Sequence, residues 1–410
     1  MRLFRLEIKR VLKSRRTKIL LAIAIVLSVL MAIIPIYFDC INRPNADGTV
    51  SELSGFASIE YKRPYYATTY GEVTPQKVAD ALRTYQNFVT EYGGEENIPL
   101  EVYINDLLAI NPLIRGLVEA YADPYTGYAA ELMDIDPDDV ETFYYESCES
   151  HLKDIMRMEQ KNHPAAQENA SEMYAKVDSF VLYAGLSRDT FDYIELYIMM
   201  LTILCITITA PLFSGEYQTG ADSILRCTKH GRGKLAIVKM FASLTIIAAI
   251  YILCVAIQLL IINFAFGFDC LKTSIQMLYT IISLPNINMG QVEWILAIGG
   301  LLAVLACVSC TMFISAKCKD SLTAMLISIV ILFAPIFSYW IFDANILSSI
   351  LPSAGIGLQN NLLYQLIDFN YLHFGDISIW TPYVILISAV IEIPVFLILA
   401  VRSYCKHQVI

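Results

Sequence analysis

The sequence predicts an all-α integral membrane protein: six transmembrane helices, N- and C-termini cytoplasmic, and a helical extracellular domain between helices 1 and 2. Three observations carry that prediction. The 410 residues are 56% hydrophobic and only 17% charged, whereas soluble domains run at about 45–50% and about 25%. The apolar residues fall into six blocks, each close to the roughly 20 residues that cross a bilayer as a helix. Charge is segregated as well. Residues 39–193 hold 28 Asp and Glu against 11 Lys and Arg, so the net charge of −10 divides into −17 there and +7 over the rest. The acidic total excludes a nucleic-acid partner on charge grounds.

Taken in order, residues 1–18 place Phe4, Ile8, Val11 and Leu12 at helical spacing, which predicts an amphipathic helix on the cytoplasmic headgroups, in contact with membrane lipid. Eight Lys and Arg in this stretch hold it inside. The first span, 19–38, is longer than the 7–15 residues of a signal-peptide core, and no small-x-small site follows, so it is expected to stay uncleaved. The insert, 39–193, reads as mainly helical. Thr74-Pro75 opens one helix that Gly93-Gly94 stops, and Asp136-Pro137 opens another running from 138 to about 161. A stretch over about 99–122 should bury Leu107, Leu108, Ile114 and Leu117 and bend at Pro112. A last helix is expected over about 167–180.

The second span is 194–213, followed by a cytoplasmic segment, 214–234, and the third span, 235–262. Spans four, five and six are 295–314, 322–341 and 381–401. Arg226, Lys229, Arg232, Lys234 and Lys239 follow span two, Lys317 and Lys319 follow span four, and Arg402 and Lys406 lie in the tail, 402–410. The connectors 263–294 and 342–380 contain only Lys272 between them, which places them outside. Trp294, Trp340 and Trp380 mark the outer ends of spans, a headgroup position tryptophan favours.

The run Asp134-Ile135-Asp136-Pro137-Asp138-Asp139 lacks the glycine and terminal Glu of a calcium loop, and helix capping explains its carboxylates. Of ten cysteines, only Cys40, Cys148 and Cys270 map outside; a Cys40–Cys148 bridge is left open. Cys307 and Cys310 have zinc-like spacing inside an apolar span without a second ligand pair, so helix packing accounts for them. The five histidines form no H-E-x-x-H, and Gly231-Arg232-Gly233-Lys234 lacks the hydroxyl and the upstream glycine of a phosphate loop. No metal site, cofactor or catalytic residue is expected in this chain. Asp320, Asp343 and Glu293 sit at span ends and are expected to reach headgroup water. Glu392, in span six before Pro394, is the intramembrane polar candidate: either a functional group facing the bundle or water, or a protonated acid bonding carbonyls freed by the proline.

Between spans two and three, Phe213-Ser214-Gly215-Glu216 is followed by Gly220, Ile224-Leu225, Thr228, Gly231-Arg232 and Lys239. The pattern reads as a short helix bounded by glycines, acidic at its start and basic at its end. It resembles the coupling helix of type-2 ATP-binding-cassette (ABC) exporter permeases, and the six-span order and basic N-terminal helix fit that family. The resemblance does not cover 39–193. It implies a non-catalytic permease that works as a dimer with an identical or related second subunit. ATP and Mg would be bound by a separate cytoplasmic ATPase dimer that contacts Glu216, Gly220, Leu225, Thr228, Arg232 and Lys239. Its substrate is unidentified; a peptide antibiotic or a lipid-linked envelope component fits the large outer domain. An ion-coupled secondary transporter or channel using Glu392, and a non-transporting envelope-stress sensor, remain as alternatives.

Overall fold

A computed structural model describes residues 2–126, 128–227, 231–342, 345–357 and 361–407. Helix α1 (Arg2–Lys13) turns at Ser14 into α2 (Arg15–Phe38), the first span. The insert opens with a β1–β2 ribbon (Cys40–Pro44, Val50–Ser54) and α3 (Phe56–Tyr66). It continues through β3 (Gly71–Val73), α4 (Pro75–Tyr92), a short α5 (Leu100–Val102), α6 (Asn111–Ala120), α7 (Pro137–Glu159), α8 (Pro164–Tyr174) and β4 (Phe180–Leu182). Helices α9 (Asp189–Thr209) and α10 (Pro211–Thr219) run on as one 31-residue span. After α11 (Ala221–Arg226) come α12 (Gly233–Phe266), the turn α13 (Ile275–Leu278), α14 (Met289–Ser315) and α15 (Ser321–Phe342). The chain closes with α16 (Asn345–Ile350), α17 (Leu362–Ile367), a β5–β6 ribbon (Tyr371–Phe374, Ile377–Trp380) and α18 (Thr381–Lys406). Six of these helices, those of all six expected spans, are long and apolar enough to cross a membrane.

The bundle is organised around α14, the most buried span, which packs on α18, α9, α15 and α12, while α2 lies against α12 and α9. Small residues make this possible. A Cβ at Gly300 would lie 2.9 Å from Ile198 Cδ1 and would collide with the Tyr251 hydroxyl, so glycine there lets α9 and α12 close on α14. By contrast α15 and α18 expose much of their apolar surface, as helices facing lipid do.

The capping devices in the insert form as their chemistry requires. Thr74 Oγ1 accepts from the Lys77 amide and Gly93 ends α4 in the left-handed region at φ 71°. Asp136 accepts from the Asp138 amide at 2.9 Å, and Asp138 pairs with Arg83 of α4 at 2.6 Å, so the acidic run serves helix α7 and its neighbour. Among the described residues no cluster of metal-ligating side chains occurs. Cys40 and Cys148 are both free thiols, the first exposed and the second buried, where burial pushes the Cys148 thiol up to about 12.

Several details differ from expectation. Pro112 does not bend a helix but sits at the start of α6, where its missing N–H leaves no intrahelical bond unmade, and a π turn (Tyr103–Leu107) precedes it. The helix expected over 167–180 stops at Tyr174, because Phe180–Leu182 pairs with Gly71–Val73 instead. Among the described residues three two-stranded ribbons thus accompany the helices. Trp380 stands at the N-cap of α18, 4% exposed, and packs edge-on against Tyr383. Glu293 is buried, since α14 begins at Met289 and carries it inside the helix. The insert also bonds to the connector between α12 and α14. Arg188 donates to the Leu278 carbonyl at 2.5 Å, Arg115 to the same carbonyl at 2.8 Å, and Tyr174 to the Ile281 carbonyl at 3.0 Å.

Candidate functional site

The residues singled out between spans two and three lie at the end of the bundle where α1, α10, α11, the start of α12 and the last turns of α18 meet. Their geometry starts with a proline. Pro211 cannot donate to Thr207, so the Thr207 carbonyl is free and accepts from Arg16 Nη2 at 3.2 Å. The amides of Phe213 and Ser214 donate to Ser315 Oγ of α14 at 3.0 and 3.1 Å, and that hydroxyl donates to the Ala210 carbonyl at 2.6 Å. The helix therefore continues through Pro211 because a serine from a neighbouring helix takes up its displaced hydrogen bonds.

One turn further on, Glu216 points inward. It forms an ion pair with Lys239 of α12, and Arg10 Nη1 of α1 donates to the same carboxylate oxygen at 3.0 Å. Arg10 Nε also lies 2.9 Å from Glu7 Oε2. Lys239 is 1% exposed, Glu216 7% and Glu7 8%. Two carboxylates and two cations thus balance, with Lys239, Glu216 and Glu7 buried and Arg10, its side chain 48% exposed, reaching water; pairing of this kind is the condition under which buried charge is tolerated. The α1 surface is accordingly not purely apolar: it buries Glu7 and packs on α12, more than a helix lying on headgroups would.

Gly220 then takes φ 70°, the left-handed region that lets α10 stop and α11 leave in a new direction. Consequently 214–234 is not one short helix. Its first six residues extend span two, and only α11 stands apart. On α11 Asp222 is buried, Leu225 half-buried and Ile224 74% exposed. Arg232 is exposed beside the start of α12, and Thr228 lies outside the described residues. The aromatic end of α18 braces the return: the Phe213 and Tyr404 rings are 4.8 Å apart, Tyr217 stacks on His407 at 4.0 Å, and Tyr404 donates to the Gly231 carbonyl at 3.4 Å.

Of the expected site residues, the structure therefore joins Glu216 and Lys239, uses Gly220 as the turn, and leaves Arg232 at the surface. Glu392 lies elsewhere, on α18 facing the Cys307 and Cys310 side of α14, with its Oε2 buried and without a hydrogen-bond partner among the described residues. Arg10 and Glu7 were not singled out by sequence, nor was Glu195, a 2% exposed carboxylate one residue inside the expected second span. The signal for Glu195 was its position alone. For Arg10 there was none, because Glu216 is 206 residues away, and Glu7 pairs with Arg10 three residues along the same helix.

A family model described as ABC-2 family transporter protein matches residues 1–409. The chain belongs to this family. No curated protein and no solved structure matches it. The ABC-2 chain is thus a multi-pass membrane permease of an ABC transporter, and its family implies an ABC ATPase as partner. In that setting the charged junction of α1, α10 and α12 is part of a transport component, and α11 is the short element suspended from it.

Proposed function

We propose that this ABC-2 permease is an exporter subunit, and that α11 with residues 231–234 receives the motion of a cytoplasmic ATPase dimer. The observation that carries this reading is the Arg10–Glu216–Lys239 junction, built on the buried Glu216–Lys239 pair. It ties the root of α11 to three helices at once, so a displacement of α11 is passed to α1 and to spans two and three together instead of being lost in a loop. Ile224 and Arg232 supply an exposed apolar contact and an exposed cation for the partner. ATP and Mg would reside in the partner, and switching would require that its nucleotide states bind the two permease conformations differently. The N- and C-termini lie in the cytoplasm and 39–193 outside. A second permease subunit, identical or related, completes the assembly. The large insert favours a peptide antibiotic or a lipid-linked envelope component as cargo.

The test is co-purification with the ATPase encoded or expressed alongside, using Ile224→Asp with Arg232→Glu. Both side chains are exposed, so the permease should keep its melting temperature while the ATPase is lost and transport stops. Retention of the ATPase together with full transport would refute the assignment of α11 and Arg232.

A further inference from the structure

At the opposite end of the spans, α12 and α14 part around a cleft of about 630 Å³, a volume in the range of small-molecule sites. Its walls are apolar, with Ile252, Leu259, Leu260 and Leu301 among them, and Tyr251 lies at its deep end. Two polar side chains stand at its mouth. Asn263 is 6% and Glu293 7% exposed, and Asn263 Nδ2 donates to Glu293 Oε2 at 3.1 Å. The remaining oxygens, Asn263 Oδ1 and Glu293 Oε1, are buried and have no hydrogen-bond partner among the described residues. Buried acceptors left in this state carry a desolvation cost that a donor would remove.

Depth and chemistry together define the occupant. Tyr251 and Asn263 are twelve residues apart on α12, about 18 Å at the helical rise, and one leaflet of the hydrocarbon core is about 15 Å deep. Trp294, next to Glu293 and 70% exposed, sets the mouth at headgroup level. The trough is therefore as deep as an acyl chain is long in one leaflet, with two acceptor oxygens where a headgroup would lie. A carboxylate and an amide oxygen match N–H donors carrying positive charge, and a trimethylated head has no N–H to give.

We propose that the α12–α14 cleft holds one acyl chain of a membrane aminolipid, whose primary ammonium donates to Glu293 Oε1 and Asn263 Oδ1. The site is independent of the α11 assignment, since it lies at the other end of α12.

The full chain is reconstituted in vesicles of equimolar phosphatidylethanolamine and phosphatidylcholine with identical acyl chains, extracted, washed, and its tightly retained lipid quantified by mass spectrometry. The wild-type chain should retain the ethanolamine lipid over the choline lipid by roughly tenfold. Glu293→Leu should abolish that preference while still retaining lipid, and Ala297→Phe, which fills the cleft, should lower retention of both. Equal retention of the two lipids by the wild-type chain would overturn the head assignment without recourse to any variant. Undiminished retention in Ala297→Phe would overturn the cleft.

Discussion

Replacing one side of the Glu216–Lys239 pair should destabilise the chain far more than replacing the other. Glu216 is the shared anion: Lys239 and Arg10 both bind it. Glu216→Leu leaves Lys239, 1% exposed, with no carboxylate in contact, the situation in which breaking a buried pair costs about 3–5 kcal/mol. Lys239→Met instead leaves Glu216 with Arg10, whose side chain is 48% exposed and can follow it to water, so about 1–2 kcal/mol is expected. The double replacement removes both charges and keeps the volume apolar, which is often nearly neutral for buried pairs. Thermal melting of the detergent-extracted chain reads this directly. At about 1–2 °C per kcal/mol for a chain of this size, Glu216→Leu should fall by about 5 °C, Lys239→Met by less than half as much, and the double variant should recover most of the loss. The coupling energy of the cycle should exceed about 2 kcal/mol. Equal losses from the two single variants, or a double variant showing their sum, would refute the argument that Glu216 is the shared anion.

Topology, backbone and capping give three further expectations. Among single-cysteine variants, one retaining exposed Cys40 should react with a membrane-impermeant maleimide in intact cells. One retaining exposed Cys227 should react only after permeabilisation; the reverse pattern would invert the proposed orientation. Gly220→Ala should cost about 1 kcal/mol, because only the φ of 70° is strained and the space is open; an unchanged melting temperature would show that α10 and α11 are not held by this turn. Asp136→Ala should cost about 1 kcal/mol as a lost cap, and added calcium should leave both wild type and variant unshifted if the acidic run is a helix start.

The spans were legible because hydropathy is a property of blocks, and each of the six blocks is contiguous in the chain. The caps were equally legible: Thr74-Pro75 and Asp136-Pro137 act within a single turn, so neighbours in sequence carry the whole signal. What escaped was non-local. Strand Gly71–Val73 is three residues long and finds its partner at Phe180–Leu182, far too short a stretch for alternation to register. Hydropathy puts the edge of span four after Glu293 and so predicts it at headgroup water, whereas the Asn288 cap starts α14 earlier and brings Glu293 against Asn263.

Arg10 shows the same limit at the candidate site, and its position changes what the N-terminal charges mean. Read along the chain, it is one of eight basic residues that orient the first span, and any of the eight would serve that purpose. In the fold it is bound to Glu216, with Glu7 on its other side. The positive-inside signal and the electrostatic junction thus draw on the same residue at different levels: one depends on its charge alone, the other on its position on the α1 face that meets α12. Substituting Lys at position 10 would preserve the first and weaken the second, since a single ammonium cannot span Glu7 and Glu216 as the guanidinium fork does. The N-terminal helix is therefore a structural member of the transport component, joined to the helix ends from which α11 is suspended.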